Sequence, residues 1–257
     1  MLRRPRQTLP DPIIIELGQT LAPLANFPWG PLAMTYLGVP IVINTATIVV
    51  DDKDYQSACQ KLKDSGFRAT VPDRRPAPEI FAALPNPEEA LQLVNKEYER
   101  LDQSTTLFEY PVGHYLGLKV NLVPNSFAHL PMLYITGESK QDPSNQPPNY
   151  NVYDNIFHPL EAALVESFVK GAIDDEHHGG LDWGQSLTTW VAMMAAYLEV
   201  NNDILDACSD QQAVEWFSLK FGRKHEEEFG PWDRRVSKRI GSGKEMPVDM
   251  RGKPLPD

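Results

Sequence analysis

A run rich in β-branched residues, Ile41–Val50, constrains the fold of this chain more than any other feature. Such a run is typical of a central strand that is buried on both faces of a sheet. Asp51 and Asp52 follow it directly and can cap a helix over residues 54–63. The pattern therefore predicts a strand followed by a helix, packed inside a larger α/β unit.

Further helices and strands are expected around that central strand. The sequence predicts helices over 12–24 and 31–37 and from Asn86 onward, and strands over 67–71, 105–110 and 116–123. In the strand over 116–123, apolar residues alternate with Gly117, Lys119 and Asn121. That period of two puts Lys119 and Asn121 on the same face of the strand.

The second half of the chain changes to helical periodicity. His158-Pro159 is expected to begin a helix, Leu187–Leu198 carries the apolar stripe of another, and Ser209 with Gln212 forms a capping box for a third. We therefore expect an α+β fold, with a mixed sheet flanked by helices and then an α-helical carboxy-terminal part. The expected divisions are an α/β core over 1–137, a surface loop over 138–152, a helical region over 153–240 and a flexible tail over 241–257.

Charge and apolar content narrow the classes of partner. The formal net charge of -11 opposes nucleic acid as the main ligand, because a phosphate backbone is bound by many Lys and Arg. A basic run, Arg234–Arg239, is either a solvated helix face or a contact for an anionic partner. No apolar run approaches the roughly 18 residues that span a membrane, and the first residues do not form a signal peptide. We expect a soluble protein of the cytoplasm, with Cys59 as a small buried hydrophobe.

Three segments in the first half occur in an order that resembles a known superfamily. These are Trp29–Ala33 at the start of a helix, Leu37–Pro40 at its end, and Ile48–Asp51 at the end of the central strand. Phe67 after Gly66 adds a strand that follows the next helix. The layout is similar to the nucleotidyltransferase superfamily, in particular to its minimal members from bacterial abortive-infection systems and fungal genomes. The resemblance implies a nucleotidyltransferase-like fold for the amino-terminal half.

The residues that would bind metal in that superfamily are replaced here. The resemblance aligns its two strand aspartates with Thr45 and Thr47, and its third carboxylate with Asn121. Nucleotidyl transfer uses two hard cations that clamp the attacking and leaving oxygens, and such cations require anionic oxygen ligands. Neutral hydroxyl and amide groups do not hold magnesium against its hydration shell. We therefore expect no metal and no cofactor at this position.

The phosphate-binding turn implied by the resemblance is altered as well. Gly30 is present, but Pro31 removes one N–H group that would face an anion, and Trp29 adds a large apolar surface. Either Trp29 lines a pocket for something less charged than a nucleoside triphosphate, or it packs over the sheet. The expected ligand-binding set, for a small-molecule ligand, is Trp29, Gly30, Thr45, Thr47, Lys119 and Asn121.

Two histidine-bearing segments are further candidates for chemistry. His114 lies between two predicted strands and is, with Asn121, a candidate catalytic residue, since histidine titrates near neutrality. It is equally compatible with a simple turn residue. The segment Asp174–Gly180 carries two histidines and three carboxylates. Without the spacing of a metal motif, it is more typical of a helix carboxy terminus ended by glycine.

Three functional hypotheses follow from the sequence. The first is a degenerate nucleotidyltransferase-fold protein that binds a small molecule, either as a metal-independent enzyme or as a binding protein. The second is a magnesium-dependent nucleotidyltransferase that uses other acids, such as Asp51, Asp52 or Glu109. The third is a non-enzymatic scaffold in which Trp183, Trp190, Trp216 and the basic run form a partner surface. A homo-oligomer is compatible with all three.

Overall fold

A mixed sheet of five strands organises the molecule. The computed structural model describes residues 5–111, 117–132, 149–180, 182–198 and 200–230. The amino-terminal elements are α1 (Pro12–Leu21), β1 (Phe27–Trp29), α2 (Pro31–Leu37), β2 (Thr45–Val50), α3 (Tyr55–Asp64) and β3 (Arg68–Thr70). These are followed by α4 (Pro78–Ala83), α5 (Pro87–Glu97), α6 (Glu99–Ser104), β4 (Thr106–Glu109), β5 (Lys119–Pro124) and α7 (Asn125–Ala128).

The remaining elements are a hairpin and four helices. They are β6 (Tyr150–Tyr153), β7 (Ile156–Pro159), α8 (Glu161–His177), α9 (Asp182–Leu198), α10 (Gln211–Lys220) and α11 (Arg223–Phe229). None of the helices in the described part of the chain is long and apolar enough to span a membrane. The expected α+β class, with a helix-flanked mixed sheet and a helical carboxy-terminal part, is confirmed.

The sheet has the strand order β1-β2-β5-β4-β3, in which β2 and β5 are parallel and the other neighbours are antiparallel. Ala46, Ile48 and Val50 of β2 face a core cluster that also contains residues of α1 and α3. Val49 belongs instead to a second core cluster, formed with α2, α8, α9 and α10. The central strand is therefore covered on both faces, as the β-branched run predicts.

Several boundaries differ from those expected. Phe27–Trp29 is an edge strand, although the sequence pattern predicts no strand there, and Pro28 lies opposite Ile48. His158 and Pro159 do not begin a helix, because they close the β6–β7 hairpin and α8 starts at Glu161. The surface loop expected over 138–152 ends earlier than expected, because its last residues, from Tyr150, belong to strand β6.

Of two expected helix ends, the structure contradicts one and confirms the other. The expected capping box of Ser209 and Gln212 is wrong: Asp210 is the cap of α10, and its carboxylate accepts from the backbone N–H groups of Gln212 and Ala213. Asp174–Gly180 does end a helix, since α8 stops at His177 and Gly179 has a φ of +74°. No grouping of three metal-ligating side chains occurs among the described residues.

Candidate functional site

The side chains on one face of β2 and β5 are polar at the start of each strand and apolar further along, and a cleft lies above the polar ones. On the face that meets α8 and α9, β2 runs from Thr45 and Thr47 to Val49, and β5 runs from Lys119 and Asn121 to Val123. The two valines lie in the core cluster beneath the helices. At the other end of the strands the helices do not cover the polar residues, and a cleft of about 890 Å³ opens above them. This volume lies within the range of sites that bind small molecules.

The floor of the cleft is formed by four polar side chains, which we call the polar floor: Thr45, Thr47, Lys119 and Asn121. Thr45 is paired with Lys119 and Thr47 with Asn121 in the parallel register. Neighbouring strands lie about 4.8 Å apart, and alternate residues of a strand are about 6.6 Å apart. The four side chains therefore share one small patch, as their alternation along the strands predicts.

The amide of Asn121 carries a buried oxygen atom without a hydrogen-bond partner. Its Oδ1 atom is buried and accepts no hydrogen bond. A buried polar atom left without a partner costs about 1–3 kcal/mol. A buried polar atom without a partner therefore indicates a bound water, a bound ligand or a role in function.

An aromatic wall closes one side of the cleft and consists of Trp29, Trp183 and Trp190. The Trp29 ring centroid lies 6.0 Å from that of Trp183 and 5.8 Å from that of Trp190. Trp29 is only 1% exposed, and its indole N–H donates to Ser167 Oγ at 2.8 Å. Of the two interpretations of Trp29, packing over the sheet is therefore the main one, and this residue contributes the back of the wall.

Gly30 is not brought into the cleft. It has a φ of +59° and precedes α2, and a Cβ atom added to it would lie 3.1 Å from the Trp190 ring. The glycine thus allows both the left-handed backbone and the close approach of Trp190. The resemblance assigns Gly30 to a phosphate-binding turn, but here Gly30 is buried against the indole ring of Trp190. The other expected ligand-binding residues all line the cleft.

The opposite wall comes from residues 71–105, which connect β3 and β4 and which we call the helical insertion. It contains α4, α5 and α6, and none of these helices has a buried residue. Arg74 and Asp102 join its two ends through paired hydrogen bonds of 2.7 and 2.6 Å. The Arg74 guanidinium also lies 4.6 Å from the centre of the Tyr98 ring. The sequence pattern does not predict this wall.

The helical insertion is attached to α8 and α9 by a few polar contacts and by the packing of the partly buried Tyr98 and Leu101 against the core cluster. The Tyr98 hydroxyl lies 3.3 Å from Ser186 Oγ, and Arg100 forms ion pairs with Asp174 and, at 3.5 Å, with Asp175. Asp174 is thereby held ionised: burial opposes its charge, but the Arg100 guanidinium lowers its pKa. The cleft is therefore walled on one side by core aromatics and on the other by a weakly packed segment.

The three acids of the second hypothesis do not belong to the cleft. Asp52 accepts hydrogen bonds from the backbone N–H and hydroxyl of Ser126, Asp51 caps the short helical turn after β2, and Glu109 pairs with Arg68 at 3.5 Å. None of these three acids lines it. His114 and the basic run Arg234–Arg239 lie outside the described residues.

The three tryptophans of the expected partner surface do not form one. Trp183 is 7% exposed within the core, and Trp190 belongs to the aromatic wall. Trp216 lies on α10, where Lys220 Nζ is 4.2 Å from the centre of its ring. This correction removes the tryptophans from the scaffold hypothesis, because an interface needs them exposed on a common surface.

Comparison of the chain with protein-family models finds no match. Comparisons with curated proteins and with solved structures also find none.

Proposed function

We propose that this protein binds a small organic molecule in the cleft above β2 and β5. In this proposal the fold is nucleotidyltransferase-like, with neutral side chains at the positions of the metal-binding carboxylates. The observation that carries the proposal is the polar floor, which stays open beside an aromatic wall although the same strand faces carry core valines one step further along. Sites that bind small molecules combine an apolar lining with a few convergent polar groups in this way.

Energetics support a role in binding over one in stability. Thr47 is only 9% exposed, and the buried Oδ1 atom of Asn121 lacks a partner. Valine at these positions would extend the core cluster that already contains Val49 and Val123. Because buried unpaired polar atoms destabilise a fold, their presence in a cleft favours a functional explanation.

Transfer of a nucleotide through magnesium is not included in the proposal. The acids that the second hypothesis requires, Asp51, Asp52 and Glu109, are engaged elsewhere and do not line the cleft. Asp102 does line it, but its carboxylate is held by both terminal nitrogens of Arg74. A binding protein, or an enzyme that works without metal, fits this arrangement of acids better.

The proposal is tested by screening a fragment library that contains acids, bases and neutral compounds against ¹⁵N-labelled protein. We expect hits that shift the backbone amide signals of β2 and β5. Ser186→Trp, which places a large ring in the cleft, should abolish these shifts. Its control is Thr189→Trp, on the same helix: the native hydroxyls of both residues donate to the backbone carbonyl four residues earlier, but Thr189 is exposed and does not line the cleft.

Two results would contradict the proposal. One is a library without any compound that shifts the β2 and β5 signals. The other is a set of hits whose shifts persist in Ser186→Trp, since the compounds would then bind outside the cleft.

A further inference from the structure

The charges around the polar floor indicate which class of molecule the cleft takes. We infer, on the basis of the proposed function, that the ligand carries one acidic group, a carboxylate or a phosphate monoester, and that Lys119 with the hydroxyls of Thr45 and Thr47 binds it. The body of the ligand then lies against the aromatic wall.

Lys119 is a cation without a carboxylate partner among the residues that the structure describes. Its cross-strand neighbour on β4 is Glu109. That carboxylate is instead 3.5 Å from Arg68 Nη2 and accepts from the Thr70 hydroxyl at 3.5 Å. The acid closest in register is thus engaged toward the sheet edge, and no carboxylate of the described residues forms an ion pair with Lys119.

The other charged side chains of the lining do not neutralise Lys119. Arg74 and Asp102 compensate each other through their paired hydrogen bonds. Asp73 follows β3, and its carboxylate accepts from the backbone N–H of Arg75 at 3.0 Å. Strand β4 lies between β3 and β5, so the strand that Asp73 follows is two strand spacings, about 10 Å, from the strand that carries Lys119. At that distance the interaction between exposed charges is largely screened.

The donors beside Lys119 fit an oxyanion. Thr45 is its direct register partner on β2, and Thr47 lies two residues further along the same face. The two hydroxyls form no hydrogen bond with another side chain or backbone group in the part of the chain that the structure describes. Hydroxyl and ammonium donors on a patch roughly 5 by 7 Å match the oxygens of one carboxylate or one phosphate.

A single uncompensated cation also limits the charge of the ligand. A triphosphate in a water-poor cleft requires several cations or a metal ion, because each buried charge without a counter-charge is costly. Among the described residues, the cleft lining contains one cation without a counter-charge, Lys119. The partly exposed Trp190 ring of the aromatic wall provides the surface for an apolar, planar body. The expected ligand is thus a monoacid with an aromatic or similarly flat body.

Matched pairs of acids and neutral analogues test this inference by titration calorimetry. The probes are 2-naphthoate against 2-naphthamide, and 1-naphthyl phosphate against 1-naphthol. We expect at least one acid to bind more tightly than its neutral counterpart. Lys119→Met keeps most of the side-chain stem and removes the charge, so it should weaken the acid roughly tenfold or more and leave the neutral probe unchanged.

Lys63→Met is the control, because Lys63 is exposed on α3, which packs on the other face of the sheet. It should not change either affinity. The preference between the naphthoate and the naphthyl phosphate identifies which of the two acidic groups the patch accommodates. Added salt should weaken the acid but not the neutral probe.

The inference and the proposed function fail in different ways. Equal affinity for acid and neutral probes, or an unchanged acid affinity in Lys119→Met, overturns the anion assignment. The same holds if the fragment hits in the cleft are all neutral or basic and neither acid binds. In these cases the cleft is still a binding site. If the fragment library yields no cleft hit and no naphthyl probe binds, both the inference and the proposed function are overturned.

Discussion

His158 is a buried base that no hydrogen bond satisfies. It lies on β7, is 0% exposed, and neither Nδ1 nor Nε2 has a partner. Its ring stacks on Tyr36, with the centroids 3.9 Å apart and the planes inclined by 20°. Burial lowers the pKa of this imidazole to about 3, because the low-polarity surroundings penalise the charged form. The folded protein therefore keeps His158 neutral over the whole physiological range.

This burial predicts a loss of stability in mild acid. In the unfolded chain His158 takes up a proton near pH 6.5, whereas in the folded protein it does so only near pH 3. The unfolded state thus binds more protons between these values, and the free energy of unfolding decreases as the pH falls from 6.5. Each pKa unit corresponds to about 1.4 kcal/mol, so the decrease from pH 6.5 to pH 5 should be about 2 kcal/mol.

His158→Phe should remove that pH dependence, since phenylalanine keeps the stacking on Tyr36 and has no group to protonate. Urea denaturation at pH 7, 6 and 5 measures the effect. We expect the variant to lose about 2 kcal/mol less than the wild type over this interval. His177→Gln, at an exposed histidine, is the control. Equal slopes for wild type and His158→Phe would contradict the prediction.

At the scale of single residues, the sequence located the polar floor but not its neighbours. Thr45 and Thr47 share a face, as do Lys119 and Asn121, because a strand has a period of two whatever packs on it. That β2 and β5 are adjacent and in register is a property of the whole sheet, and single-strand patterns do not contain it. The same limit explains Gly30, whose role depends on Trp190, a residue far away in the chain.

At the scale of elements, the helical insertion is held by few buried contacts. Its three helices have no buried residue, and its ends are joined by the pair of Arg74 and Asp102, whose side chains are 18% and 27% exposed. Segments with few buried apolar contacts open locally at low free energy. Since the insertion forms one wall of the cleft, its opening would widen the entrance for a ligand.

Arg74→Gln should release the insertion without disturbing the sheet. Loss of a partly buried, doubly hydrogen-bonded ion pair should cost about 1–2 kcal/mol locally. Amide hydrogen exchange in α5 and α6 should then accelerate roughly 5- to 30-fold, while β2 and β5 keep their protection. Exchange measured by mass spectrometry on peptides from each element checks this.

The neighbouring arginine provides the control for that experiment. Arg75 pairs with Glu88 at 3.8 Å, but these side chains are 55% and 67% exposed. Exposed pairs contribute little, so Arg75→Gln should leave exchange in α5 and α6 nearly unchanged. A similar acceleration in both variants would show that the Arg74–Asp102 pair does not hold the insertion.

Elements with strong periodicity were predicted well, and short ones were not. The stripe of α9 is buried at Leu187, Val191 and Met194, as its spacing predicts. Strand β1 was missed because three residues that include Pro28 carry no alternation, and its pairing with β2 alone makes it a strand. The cap of α10 shifted by one residue, from Ser209 to Asp210, since both can accept from the first N–H groups of a helix.

At the scale of the whole molecule, the α/β part and the helical part share one core. A single hydrophobic cluster joins Phe27, Val49 and Val123 to Phe168 and Val191. The β6–β7 hairpin also pairs with the segment before β1: Asn26 N–H donates to the Asn155 carbonyl at 3.0 Å, and Phe157 N–H donates to the Asn26 carbonyl at 2.9 Å. The expected division after residue 137 therefore crosses a continuous core, which the change in periodicity along the sequence does not reveal.

A shared core predicts that neither half folds alone. In a fragment of residues 1–137, Trp29 would lose Phe168, Trp183 and the Ser167 hydroxyl that accepts its indole N–H. The exposed face of β1 and α2 should then prevent tight packing, because each large aromatic group left in water forfeits about 1.5–3 kcal/mol of burial. We expect the full chain to melt in one transition and the fragment to lack a near-ultraviolet circular dichroism signal from its single tryptophan, Trp29. Mixing the fragment with residues 138–257 should restore that signal, since the missing packing partners are then supplied.

A fragment of residues 1–137 that melts cooperatively by itself would contradict this prediction. The amino-terminal half would then be an independent domain, and the cleft would lie between two domains rather than within one.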